Sequence, residues 1–296
     1  MTLEFHPLTL ADRENYQSVS LKAGRRNCNY TFANLVGWQF WFNTELCMHD
    51  GSAVLRFTVD GRRAYMICSD CLNAPLLEDL MADAGADLTI VGLEDDCVRN
   101  LSVLGSRFLV ETEPRRNQYD YIYRRADLAA LQGGKLKAKR NHVNKFRSEH
   151  PGADYRPLEP SMFDECRRLV ALWQEEKPVS EDEVPTILAE QRVMETVFAH
   201  WDALGMLGGS IWLDGRLVAF TYGAAVTDDT LDVCVEKADR SIDGLFSAIN
   251  QQFCLHLPEQ YVYINREEDM GLVGLRKAKL SYHPEILLSY NVVHIK

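Results

Sequence analysis

Hydrophobic and polar positions along this chain follow two periods. Strict alternation marks strands, and apolar residues recurring every three or four positions mark helices. "AVLRFTVDGRRAYMICS" alternates on both sides of Asp60-Gly61 and predicts a β-hairpin. Before it, "LEFHPLTL" predicts a short strand and "ADRENYQSVSLKAG" a helix closed by Gly24. The aromatic-rich "NYTFANLVGWQFWFN" predicts one buried helix. After the hairpin come a helix, "APLLEDLMADAGA", and a buried strand, "DLTIVGL". A short helix, "CVRNLSVLG", and the strands "RFLVETEP" and "YDYIYRR" complete this half.

The second half repeats the order. "PSMFDECRRLVALWQEEK" reads as a helix with Pro178 beyond its end, and "VPTILAEQRVMETVFAHWDALG" as a second helix. "GGSIWLDGRLVAFTYGAAV" is a hairpin around Asp214-Gly215, and "DTLDVCVEKA" is a third strand. Then follow helix "GLFSAINQQFCLHL", strand "YVYINRE", helix "GLVGLRKAKLSYHP" and one closing strand, "EILLSYNVVHI". The two hairpins are the matching points of two α+β repeats. The expected division is a first domain at 1–130, a basic connection at 131–158 and a second domain at 159–296.

Charge changes the picture in one place. The chain has 43 Asp and Glu against 32 Lys and Arg, a formal net charge of -11. Yet "KLKAKRNHVNKFR", Lys135 to Arg147, holds six Lys or Arg and no acid. Leu136, Val143 and Phe146 fall on one side of a helix there, with Lys137, Arg140, Asn141 and Asn144 on another. Such a face suits either a solvated helix or an anion, which it would steer to one spot on a repelling surface. The overall acidity excludes a general DNA binder. No apolar run is long enough to span a bilayer, and the N-terminus lacks a secretory pattern, so a cytoplasmic location is expected. The eight Cys form a single C-x-x-C, Cys68 and Cys71, and the His show no ligand spacing, so no metal is expected. G-x-S-x-G and the G-x-x-x-x-G-K-S/T phosphate loop are absent.

Two segments carry candidate chemistry. In "LDVCVEKADRSIDGLFSAINQQF", a strand runs through a polar loop into an apolar helix, whose first N–H groups lack helical partners. Ser241, Asp243, Gly244 and Leu245 stand at that helix start. In "INREEDMGLVGLRKAKLSYHP", Arg276, Lys279 and His283 share a helix side beside Leu275, Ala278 and Tyr282. Glu267, Glu268 and Asp269 lie just upstream.

This order of elements resembles the GNAT acyltransferase fold. Two such domains in tandem resemble the Fem-type aminoacyltransferases. "YDYIYRRADLAALQGGKLKAKRNHVNKFRSEHP" and "NREEDMGLVGLRKAKLSYHPEILLSY" resemble the DUF2156 family, which is similar to the soluble C-terminal part of phosphatidylglycerol lysyltransferases. The resemblance implies two tandem GNAT-like domains, each a mixed central sheet flanked by helices. It implies that Arg276 and Lys279 hold a phosphate or carboxylate. One departure concerns the phosphate loop: "RSIDGLF" has Phe246 where that fold usually has a second small residue. This disfavours a coenzyme A pyrophosphate.

The resulting expectation is acyl transfer, from an aminoacyl-tRNA-like donor or an acyl-CoA, to an amine or hydroxyl. Donor phosphates would sit near Ser241 to Leu245. Glu236 is the expected general base, with Tyr282 as a weaker general acid. Glu268 and Asp269 would hold an acceptor amine. A tRNA acceptor end or a small anion would lie on the basic helix. A non-catalytic binding module and a peripheral contact with anionic lipid stay open.

Overall fold

In the computed structural model, which describes residues 3–59, 61–69, 72–85, 87–104, 109–175 and 184–296, the alternating segments form two mixed sheets of seven strands. The first sheet contains β1 (His6–Pro7), β2 (Glu45–His49), β3 (Ser52–Val59), β4 (Arg62–Cys68), β5 (Leu88–Leu93) and β6 (Val110–Pro114). The second contains β7 (Asp120–Arg124), β8 (Asp154–Pro157), β9 (Leu207–Leu213), β10 (Arg216–Thr227), β11 (Thr230–Ala238), β12 (Tyr263–Asn265) and β13 (Ile286–Leu288). The last strand, β14 (Asn291–Ile295), returns to the first sheet between β5 and β6. Helices α1 (Arg13–Ser20), α2 (Phe32–Gly37), α3 (Gln39–Phe42), α4 (Ala74–Ala84), α5 (Asp95–Leu104) and α6 (Arg125–Ala130) belong to the first part of the chain. They are followed by α7 (Lys137–Glu149), α8 (Phe163–Glu175), α9 (Val184–Ala199), α10 (Trp201–Leu204), α11 (Leu245–His256) and α12 (Val273–Leu280).

Both hairpins form as antiparallel pairs, β3 with β4 and β9 with β10. In the second, Asp214 and Gly215 both take left-handed φ, +49° and +77°, the conformation a two-residue turn demands. Asp60, Cys71 and Pro178 lie outside the described residues.

Four expectations are corrected. The closing segment is two strands in two sheets, not one. Ser289 accepts a bond from the Asp95 N–H, and Asn291 donates to the Leu93 carbonyl and to Asp95, which fixes the crossing point. Sheet membership does not follow the divisions at 130 and 159: β7 joins the second sheet and β14 the first. The aromatic segment breaks into α2 and α3, with Trp38 outside helical geometry. A Cβ on Gly37 would lie 2.8 Å from Val193, so the chain there presses closely on α9. The second long helix breaks at His200 into α9 and α10.

The largest core joins the halves. Tyr16, Phe32, Leu46 and Leu55 pack in one cluster with Phe198, Trp201, Phe220 and Tyr222. Phe163 and Phe198 stack at 3.9 Å. Burying this many aromatic rings, at roughly 1.5–3 kcal/mol for each large side chain, ties the two sheets into one body.

Candidate functional site

β11 and β12 run parallel, and pairing stops at Asp232–Asn265. Beyond that point β11 continues to Ala238, while the chain after Asn265 turns away. Ligands of open α/β sheets bind where strand ends part in this way. The turn is held in an uncommon conformation. Glu267 has φ +55°, and its N–H is bound by the Asn265 side chain at 2.7 Å.

Four carboxyl groups meet here. Asp120 comes from β7, Asp232 from β11, and Glu267 and Glu268 from the turn. Asp120 and Asp232 are fully buried, and the two glutamates are half-buried. Asp120 Oδ2 accepts from the Cys28 N–H at 2.7 Å and Asn265 Nδ2 at 2.8 Å. Its Oδ1 faces Cys28 Sγ at 3.4 Å, and that sulfur lies 3.7 Å from Glu268 Oε2. Asp232 Oδ2 accepts from Thr31 and Asn34, and Asn34 also donates to Glu267 Oε1 at 3.2 Å. Asp232 Oδ1 is buried with no hydrogen-bond partner. Burial, then the Glu268 charge, pushes the Asp120 carboxyl up to about 7. Burial and neighbouring carboxylates also raise Asp232 and Glu267 well above the usual range. The same causes raise the Cys28 and Cys234 thiols. Donor atoms of Cys28, Asp120 and Glu268, and of Asp232, Cys234 and Glu267, form two sets within 4.8 Å that could hold a metal ion. The sequence reading of His spacing could not detect them, because each set is assembled from separate segments.

Lys279 is the cation beside these acids. It projects from α12 and donates to the carbonyls of Arg266 and Glu268. Burial lowers its pKa, with the Glu267 charge opposing. Lys279 therefore holds the shape of the acidic turn rather than reaching for an external anion.

Arg276 is also engaged. It grips Asp269 through two bonds of 2.8 Å. Arg116 and Tyr121 donate to the same carboxylate at 3.0 and 2.6 Å. These bonds outweigh burial and hold Asp269 well below the usual carboxylate range. The expected amine ligand Asp269 is thus a structural counter-ion, while Glu268 does join the acidic group. Glu236, the expected base, accepts from Arg266 at 2.9 Å and Asn250 at 3.3 Å, one on each oxygen. It serves as the partner of a buried guanidinium. Tyr282 is in the core, bonded to Ser247 at 3.1 Å and set edge-on to Tyr123.

The basic helix contributes differently from expectation. Lys137, Asn141 and Asn144 are exposed. Arg140 donates to the carbonyls of Leu131 and Gly133, closing the end of α6. The residues of α7 that count are Lys139 and His142. They line a groove of about 280 Å³ against the start of α11, with Arg240, Asp243, Gly244 and Phe246. Lys139 Nζ lies 4.2 Å over the Tyr282 ring. Burial lowers its pKa.

The expected phosphate loop is tied to α7. Asp243 pairs with Lys145 at 2.6 Å, and Ser241 bonds to Asp239. Leu245 is core. A Cβ on Gly244 would lie 2.3 Å from the His142 carbonyl oxygen, at φ +80°. The glycine therefore admits α7, not a pyrophosphate. Gly244→Ala is expected to cost about 1–3 kcal/mol, since backbone strain and a backbone clash coincide. An unchanged thermal midpoint would refute this packing role. Lys139 of α7 and Arg266 both lie over the Tyr282 ring, and neither Arg276 nor Lys279 lines the groove.

The family model for the C-terminal part of phosphatidylglycerol lysyltransferase matches residues 22–293. A conserved protein of unknown function from Bacteroides thetaiotaomicron is 36% identical over all of both chains, with a TM-score of 0.93. The C-terminal domain (DUF2156) of a putative lysylphosphatidylglycerol synthetase from Agrobacterium fabrum is 14% identical, over 96% of this chain and 92% of that one, with a TM-score of 0.62. A tandem GNAT protein from the clavulanic acid biosynthesis pathway is 12% identical, over 99% and 98%, with a TM-score of 0.50. The fold is accordingly α+β, two GNAT-like units in tandem. No curated protein matches. Among the described residues, no helix is long and apolar enough to cross a membrane.

Proposed function

The chain belongs to the family of phosphatidylglycerol lysyltransferase C-terminal domains, and from that premise we propose that it is an acyltransferase. Its donor is an activated aminoacyl ester of the aminoacyl-tRNA kind, and its acceptor an amine or hydroxyl. The observation that supports an aminoacyl rather than a simple acyl donor is the group Asp120, Asp232, Glu267 and Glu268, concentrated around one lysine. Buried carboxylates without counter-ions are costly, and an incoming ammonium offsets that cost. An aminoacyl group carries one; an acetyl thioester does not.

The acids would hold the donor's ammonium and so place its ester carbonyl at the β11–β12 opening. The acceptor oxygen or nitrogen attacks that carbon and gives its proton to a carboxylate, the C–O ester bond breaks, and the carboxylate returns the proton to the leaving ester oxygen. Asp120, pushed up to about 7, is suited to that exchange near neutral pH. The groove between α7 and α11 would take the phosphates of the donor's polynucleotide end.

The test is transfer of a labelled amino acid from charged tRNA to phosphatidylglycerol or to a small amine, run beside acyl-CoA donors. Consumption of acyl-CoA with charged tRNA left intact would refute the reading. Lys139→Ala is expected to raise the KM for charged tRNA roughly 10-fold and to reduce the salt dependence of binding by about one released ion. Unchanged salt dependence would remove the groove from the donor site.

A further inference from the structure

At the β11–β12 opening, Asp232, Cys234 and Glu267 bring two carboxylates and a sulfur within 4.8 Å of one another. Asp232 is fully buried. Thr31 and Asn34 hold it through Oδ2 at 2.8 and 3.0 Å, while Oδ1 has no partner. The Tyr222 hydroxyl is also fully buried without a partner, and the charges of Cys234 and Glu267 act on it. The Asn34 amide donates to Glu267 Oε1 as well, at 3.2 Å, so one side chain orients both carboxylates. β11 carries one more residue than β10 between the pairs Tyr222–Val235 and Ala224–Asp232. Such bulges re-aim side chains beside sites. Next to this one, Cys234 Sγ lies 3.8 Å from Asp232 Oδ2. In the neighbouring set of Cys28, Asp120 and Glu268, by contrast, both Asp120 oxygens already have partners.

We propose that Asp232 Oδ1, Cys234 Sγ and one Glu267 oxygen bind a thiophilic divalent cation of the zinc class. A thiolate with two carboxylates matches that class, whereas magnesium and calcium take oxygen ligands. Tetrahedral ligands at about 2.0–2.3 Å from such an ion stand roughly 3.3–3.7 Å apart, so the set closes with small side-chain shifts. The Cys234 proton passes to solvent as the ion binds. Local charge favours a cation. Asp120, Asp232, Glu267 and Glu268 face Lys279 and Arg266. Lys279 donates to two backbone carbonyls and Arg266 to Glu236, which leaves the four acids in surplus. A thiol adds little to an ammonium site, so the ion accounts for the sulfur among these oxygens. Cys234 and Glu267 are half-buried, which gives the ion a way in from solvent. The ion and the donor ammonium would use the same Asp232 oxygen, so the cation competes with the donor. That competition rests on the aminoacyl reading above; the binding site does not.

The experiment is titration of the full chain, first stripped with a chelator, with Zn²⁺ followed by calorimetry and with Co²⁺ followed by absorbance. Zn²⁺ uptake and a thiolate-to-cobalt charge-transfer band are expected. Cys234→Ser is expected to lose the band and to bind Zn²⁺ at least about 10-fold more weakly. Glu267→Gln, which keeps the sulfur, is expected to weaken Zn²⁺ binding to a similar degree. Cys28→Ser is expected to keep both the band and the affinity. Circular dichroism of the metal-free variants checks that they fold, and Glu267→Gln decides the matter if Cys234→Ser does not. The proposal is overturned if the wild type takes up no Zn²⁺, if the cobalt band survives in Cys234→Ser, or if Cys28→Ser abolishes it. Uptake that none of these variants changes would mark an adventitious ion only, and would overturn it too. In the transfer assay, Zn²⁺ is expected to raise the KM for charged tRNA in the wild type and not in Cys234→Ser. An unchanged KM with Zn²⁺ bound would overturn the competition. Because binding is read without turnover, failure of the site is separable from failure of the transfer reaction.

Discussion

Lys279→Met is expected to abolish transfer and to lower stability by about 3 kcal/mol, the size of effect seen when one partner of a buried charged group is removed. Two carbonyls, those of Arg266 and Glu268, lose their donor. Glu267, Glu268 and Asp120 lose a cation whose charge acts on them. The loss should depend on pH, and its sign follows from the raised carboxyl groups. A buried acid with a raised pKa binds more protons in the folded state than in the unfolded one. Its contribution is therefore full below the ordinary value of 3.8 and is lost as pH rises to about 7, the value for Asp120. Without Lys279 these groups are pushed higher still, so the variant should be penalised more at pH 7 than at pH 5. Urea unfolding at the two pH values measures this. Equal losses at both would show that Lys279 supports the backbone alone, and retained transfer would remove it from the site.

Asp232→Asn separates function from stability in the opposite direction. The carboxylate is fully buried, and its Oδ1 has no partner. An amide oriented with its oxygen toward Thr31 and Asn34 keeps those bonds and removes a buried charge. Stability should rise by about 1 kcal/mol, a few degrees in thermal midpoint for a chain of this size. Transfer should fall roughly 10²–10³-fold in kcat/KM, the loss expected when a charged contact to an ammonium is removed. A lowered midpoint with intact transfer would make Asp232 a structural residue and undo the ammonium-binding role of the group.

Which parts were legible from the residues follows from how local each signal is. The two hairpins, the start of α11 and the α12 helix rest on turn residues and short-range periodicity, and they were readable. For Asp232 the local signal points the wrong way. Its alternation with Leu231 and Val233 suggests a half-solvated strand, but β11 is interior to the sheet and its polar side is covered by Thr31 and Asn34 from the first half. Asp120 does carry a local signal: an acid among the aromatics of "YDYIYRR" is out of place unless it faces other polar groups. Lys139 gives no local signal, because its side of α7 carries few apolar residues, although its head rests on the Tyr282 ring.

Sequence alone determined most of the elements, the repeated α+β order, the charge contrast between α7 and the rest, and the family resemblance, since these rest on neighbours within a few residues. Only the tertiary structure decided which charges are spent inside the molecule. It paired Arg276 with Asp269 and Glu236 with Arg266, and it sent β7 and β14 into opposite sheets. It also drew Cys28, Asp120, Asp232 and Glu267 into one group. Whether a charged side chain is available to a ligand depends on what folds against it from a distant part of the chain, and local periodicity carries no record of that.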